Sequence, residues 1–144
     1  MSRKTGLVWH ELYMWHNTGK YAGVMPPGLK VQPYEHSEHP ETKRRFKNLL
    51  DVAGLTEQLV AIRPRPATEA EILMLHEPGY LERMKALNET GGEAGIGTPM
   101  GVGSYDIALL AVGGVRFATA ACGIKHATSA CATSLRRHHS NHHH

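Results

Sequence analysis

His36-Ser37-Glu38-His39-Pro40-Glu41-Thr42-Lys43-Arg44-Arg45-Phe46-Lys47-Asn48-Leu49-Leu50 turns a polar loop into a helix. Pro40 suits the first helical turn, where its missing N–H would be unpaired in any case. Glu41 puts negative charge near the positive end of the helix dipole. Phe46, Leu49 and Leu50 fall at i, i+3 and i+4 and form one apolar stripe. Gly54 supplies the stop. The run Lys43, Arg44, Arg45 and Lys47 reads as the solvated face of the same helix. His36 and His39, beside Glu35, Glu38 and Glu41, have the residue types of a weak metal site; the loop-to-helix reading is preferred.

The flanking segments read as short elements in alternation. Downstream, Leu59-Val60-Ala61-Ile62 predicts a strand closed by Arg63-Pro64-Arg65-Pro66. Thr68 and Glu71 have the spacing of a capping box, and Ile72, Leu73 and Leu75 offer that helix an apolar face. Pro78 starts another helix through Leu81, Met84 and Leu87, which Gly91-Gly92 ends. His76 between these helices is expected to pack or cap. Residues 91 to 103 read as a flexible glycine-rich loop. It lacks the Lys-Ser/Thr pair of a phosphate-binding loop. Ser104 is the expected N-cap of a helix with Asp106 in its first turn. Ile107 to Val115 is apolar all round, so that helix is expected to be fully buried. Gly113-Gly114 within it implies close backbone packing.

Upstream, Leu7-Val8-Trp9 predicts a buried strand, and Trp9, Leu12, Tyr13 and Trp15 an aromatic cluster. His10-Glu11 followed by His16 has the wrong spacing for a metalloprotease helix, which needs its second His four residues after the first. Residues 17 to 33, rich in Gly, Pro and Lys, form a long loop, the kind of segment that carries function.

Taken together, these stretches resemble the histone deacetylase and acetylpolyamine amidohydrolase family, in its bacterial class II-type form. The resemblance rests on the His39-Pro40-Glu41 turn into a basic-apolar helix, on Thr5 to Gly19, on Arg63 to Tyr80 and on Ser104 to Val115. It covers roughly residues 5 to 115. It implies an α/β chain, the N-terminal portion of an arginase/deacetylase-like three-layer fold with a parallel sheet, incomplete over this length. It implies that residues 91 to 103 are a rim loop in which Met100 faces substrate. It implies a parent reaction, hydrolysis of the N-acetyl amide of acetyl-lysine or an acetylpolyamine.

In the full-length family, two Asp and one His hold a zinc that polarises the carbonyl and activates water. A tandem His pair after Pro-Gly moves protons, and a Tyr stabilises the oxyanion. The two aspartates of this chain read Asp51-Val52-Ala53 and Asp106-Ile107-Ala108, so neither supplies the Asp-x-His ligand pair. His138-His139 follows Arg136-Arg137 rather than Pro-Gly. The expectation is a chain with no catalytic residue, no metal ligand and no bound cofactor of its own.

Composition agrees with a single modest domain followed by a tail. The chain has 144 residues, 41% of them hydrophobic, and a net charge of +3. All the acids lie in residues 1 to 115; residues 116 to 144 hold Arg116, Lys125, Arg136 and Arg137 and no acid. Residues 1 to 115 are therefore expected to be the N-terminal part of a deacetylase-like domain. Residues 116 to 144 are expected to be a disordered low-complexity tail rich in Ala, Thr, Ser and His, fused to it. The basic balance belongs to the tail, so no nucleic-acid partner is expected. Cys122 and Cys131 make no disulfide framework. The N-terminus reads as neither a signal peptide nor a membrane span, so a cytoplasmic protein with no membrane partner is expected. Two other readings stay open: an interaction module that pairs with itself or an intact homologue, and a weak metal binder using the His-rich tail.

Overall fold

A computed structural model describes residues 4–122. Cys131, His138, His139 and the terminal histidines lie outside the described residues. Four strands and four α-helices follow one another as β1 (Gly6–Val8), α1 (Glu41–Val52), β2 (Val60–Ile62), α2 (Glu69–Leu73), α3 (Pro78–Thr90), β3 (Gly92–Gly95), β4 (Thr98–Met100) and α4 (Ser104–Cys122). A short 3-10 helix, Glu11–Trp15, follows β1.

β1 and β2 pair in parallel, with Gly6 opposite Val60 and Val8 opposite Ile62. The chain is α/β, and α1 lies in the connection between the two paired strands, as parallel pairing requires. β3 and β4 form a separate antiparallel hairpin with a register shift between Glu93 and Gly95. The glycine-rich run is therefore a hairpin and not a flexible loop. Gly97 at its turn has φ +67°, open to glycine at little cost.

The local start and stop signals work as read. Pro40 begins α1, its carbonyl accepting from Lys43 and Arg44 N–H. At the other end Gly54 N–H bonds Asp51 O and Leu55 N–H bonds Leu50 O, a Schellman pair around Gly54 at φ +68°. Thr68 and Glu71 close their reciprocal capping box. Gly91, at φ +69°, ends α3. Three faces depart from expectation. Phe46 and Leu49 are 59% and 63% exposed, so of the apolar stripe of α1 only Leu50 is partly buried. Leu73 and Leu75 of the second helical segment also face solvent. The aromatic cluster divides: Tyr13 is buried, Trp9 is half-buried with Lys47 Nζ 5.6 Å from its ring, and Leu12 and Trp15 are exposed. In a 3-10 turn residues three apart share a face, so Leu12 and Trp15 lie together on the solvent side while Tyr13 points to the core.

α4 is the element on which the rest assembles. Ala111 is buried with Tyr13 and Met14, and Ile107 and Leu110 pack around them. Much of the helix is only half-buried, against the expectation of full burial. It also continues past Val115 to Cys122. The glycine pair packs as expected. A Cβ on Gly113 would overlap the Arg65 carbonyl, and one on Gly114 would come within 2.8 Å of Pro64 and Val8. In return Ala67 N–H donates to Leu109 O at 2.8 Å. Ser104 is not the cap; it is the first helical residue. Asn88 of α3 takes the capping task, its Oδ1 accepting from Tyr105 N–H at 2.9 Å and its Nδ2 donating to Asp106 at 3.0 Å.

Candidate functional site

The segment between the 3-10 helix and α1 has no long strand, yet it is fixed to the β3–β4 hairpin. Gly101 N–H donates to Asn17 O at 3.1 Å. A Cβ on Gly101 would come within 2.6 Å of Asn17 Cβ, so only glycine admits this approach. His36, 4% exposed, makes the second link. Its Nδ1 accepts from Glu38 N–H at 3.0 Å, which requires the proton on Nε2, and Nε2 donates to Gly97 O at 2.9 Å. The Tyr21 ring meets the His36 ring edge-on at 5.3 Å. The third link is the Tyr21 hydroxyl, which donates to the Glu93 carboxylate. That bond holds the phenol above its usual pKa, with burial adding to the effect. His36 is thus an anchor, not a metal ligand.

Between loop and hairpin lies an open hollow of about 250 Å³, lined by Asn17, Tyr21, Glu93, Pro99, Met100 and Gly101 among others. Its wall is mostly apolar, with the Glu93 carboxylate beside it. Met100, the expected rim residue, is half-buried in β4 and lines this hollow. Tyr21 and Glu93 were not singled out from the sequence. Glu93 is the one charged residue between Gly91 and Gly103, the signal that was there to find.

A second constellation joins the end of the 3-10 helix to the start of α4. His16 Nδ1 sits 2.9 Å from Ser104 Oγ, the spacing of a nucleophile and its base. Burial pushes His16 below its ordinary pKa, with the nearby His36 and Lys43 acting in the same direction. Ser104, however, is 3% exposed, so no substrate carbonyl reaches its hydroxyl. The pair ties the first turn of α4 to the loop and is structural. His10 likewise serves structure, its Nδ1 accepting from Leu12 N–H at 3.1 Å. His76 stacks on Tyr80 at 4.6 Å, the packing role expected of it.

Among the described residues no three His, Cys, Asp or Glu side chains converge to hold a metal. Asp51 is engaged by Lys47 Nζ at 2.7 Å and Thr56 Oγ1 at 2.6 Å, which hold it below the usual carboxylate range. Asp106 is engaged by Asn88. The described residues do not fit a zinc site.

A family model of the histone deacetylase domain matches residues 36–144. The chain belongs to the histone deacetylase family. It is 46% identical over 117 residues to a histone deacetylase-like amidohydrolase of Pseudomonas aeruginosa, covering 78% of this chain and 31% of the relative. It is 26% identical over 117 residues to histone deacetylase 8 of Arabidopsis thaliana, again over 78% and 31%. A probable deacetylase of Archaeoglobus fulgidus is 28% identical over 115 residues, 76% of this chain and 27% of that one. The fold of this histone deacetylase family member matches the crystal structure of the HDA15 HD domain with a TM-score of 0.63, at 22% identity, over 76% of this chain and 29% of that one. The chain therefore spans about a third of the length of the relatives it matches. Among the described residues no helix is long and apolar enough to cross a membrane.

Proposed function

We propose that this chain is the N-terminal part of an N-acetyl amidohydrolase domain and does not hydrolyse substrate by itself. Support comes from the family match together with the state of the two aspartates, both committed to holding helix ends. The parent reaction is proposed from relatives described as an amidohydrolase and a probable deacetylase. Its substrates would be acetyl-lysine or acetylpolyamine. In such enzymes zinc polarises the amide carbonyl and activates water. The described residues have no part in holding it. Their task in this reading is to build the α4 scaffold and, through Met100 and its neighbours, the substrate rim. A separate tail over 116–144, with α4 running into its start, and a cytoplasmic setting belong to the same proposal.

Deacetylation of a fluorogenic acetyl-lysine substrate and of N-acetylputrescine tests it, with added zinc and with chelator. The 144-residue chain should give no turnover above blank. A chimera that joins residues 1–115 to the remaining part of the Pseudomonas relative should restore turnover. Chelator-sensitive turnover by the chain alone would overturn the reading.

The solvent-facing stripe of Phe46, Leu49 and Val52 favours a second reading, a noncatalytic module pairing with another copy or an intact homologue. Light scattering during size-exclusion separates the two: a monodisperse oligomer supports pairing, and a monomer at all concentrations rejects it.

A further inference from the structure

Arg116 of α4 reaches across to the α2 segment at two points. Its Nε donates to Glu71 Oε1 at 3.0 Å, and its Nη1 donates to Met74 Sδ at 3.6 Å. The first acceptor is saturated. Glu71 also takes both Nη groups of Arg65 and the Thr68 N–H, so its two oxygens are filled. The second acceptor is poor. A thioether sulfur accepts weakly, and the guanidinium keeps donors on Nη1 and Nη2 that meet no stronger acceptor among the described residues. Met74 stands at the C-terminal cap of α2 and is 67% exposed, so dissolved oxidants reach its sulfur. The other described methionines differ. Met14 and Met84 are buried, Met100 is half-buried, and Met25 is exposed but has no guanidinium donating to its sulfur.

We propose that Met74 is a site of reversible oxidation by hydroperoxides and that its sulfoxide docks on Arg116, clasping the end of α2 to α4. The sulfur attacks one oxygen of hydrogen peroxide as the O–O bond breaks. That oxygen stays on sulfur as the sulfoxide, and the other leaves as water with both peroxide protons. Sulfur gives up an electron pair and the peroxide takes it. The new oxygen is a polar acceptor in place of an apolar sulfur, and a bond to it from a guanidinium is charge-assisted. Rotation about the bonds of the exposed side chain turns that oxygen to Nη1, where the contact already exists. Glu71 keeps its own bond, because Nε is not the nitrogen recruited. Sulfoxidation commonly disrupts apolar packing. Here the side chain is largely in solvent, and the sign is reversed: oxidation tightens this corner of the fold. A methionine sulfoxide reductase, each specific for one epimer, releases the clasp. None of this depends on hydrolysis, since no residue of the clasp lines the hollow beside Met100.

The test uses the full chain carrying Met25→Leu, with its methionine methyl groups labelled and followed by NMR in dilute hydrogen peroxide. The Met74 methyl signal should move to its sulfoxide position before those of Met14, Met84 and Met100. Catalase removes the peroxide once Met74 is converted. The thermal midpoint should then stand higher by about 2 °C, the size expected of one solvent-exposed charge-assisted bond. Methionine sulfoxide reductase should return both signal and midpoint. Arg116→Gln, oxidised to the same extent, should show no rise. Each midpoint is compared with that of the same variant before oxidation, so the Glu71 contact that Arg116→Gln also loses cancels. Should Arg116→Gln not fold, the Nη protons of Arg116 give the answer, because their exchange with water should slow on oxidation. Earlier oxidation of a buried methionine, a midpoint that does not rise or rises equally in Arg116→Gln, or unchanged Nη exchange would overturn the proposal.

Discussion

Gly113 of α4 lies directly on the backbone of Arg65, so close that no side chain fits between them. Backbone cannot yield as a flexible side chain does. Gly113→Ala should therefore destabilise the fold by about 2 kcal/mol or more, in the range of core overpacking. Gly114→Ala, whose new methyl meets the side chains of Pro64, Val8 and Tyr13, should cost less. Urea unfolding of both variants checks the order, and an equal or reversed order would show that the Pro64–Ala67 segment gives way.

Asn88 should behave as a helix cap although it belongs to another helix. Its two hydrogen bonds hold the first turn of α4. Asn88→Ala should cost about 1 kcal/mol, the usual cost of losing a cap. Asn88→Asp keeps the acceptor for Tyr105 N–H but faces Asp106 with like charge, and it should recover only part of that loss. Thermal melts followed by circular dichroism are the measurement.

Acid should weaken the fold in two separate windows. His16 is held below its ordinary 6.5 by burial, so the unfolded chain binds the extra proton first. Its contribution is complete above pH 6.5 and is lost as the pH falls below that value. Glu71 is held far below its ordinary 4.5, by Arg65 first and by Thr68 N–H next. Its contribution is complete above pH 4.5 and declines in more acidic solution. His16→Asn should flatten the upper window and leave the lower one in place. Unfolding midpoints across pH 3 to 8 decide this; a profile unchanged by His16→Asn would refute the assignment.

The exposed stripe of α1 makes the opposite kind of claim. Leu49→Lys should change stability by no more than about 0.5 kcal/mol, because Leu49 is 63% exposed. The same change should reduce any self-association seen by light scattering.

What the sequence made legible was local. The Gly54 stop, the Thr68–Glu71 box and the Pro78 start each depend on residues within a turn of one another. The glycine pair of α4 was legible too, because only close backbone contact offsets the cost of two glycines inside a helix, about 1 kcal/mol each. The failures all concern distance. Ser104 has the chemistry of a cap, but its hydroxyl goes to His16 and the cap comes from Asn88. The glycines from Gly91 to Gly103 suggested a loop, and cross-strand pairing made a hairpin of them. The stripe of α1 was legible as a stripe, but how much of it is covered depends on what lies opposite. Met100 was reached through resemblance alone, while Tyr21 and Glu93 meet only after folding.

The parallel pairing of β1 with β2 also bears on how the chain reaches its native state. Gly6 must find Val60 across the whole of the first loop and α1, whereas Gly92 finds Met100 within one turn of hairpin. Closing the larger loop costs more entropy and delays its contacts. During synthesis, residues 6–8 leave the ribosome before residues 60–62 and wait unpaired until these follow. β1 is then ordered only after the segment that follows it.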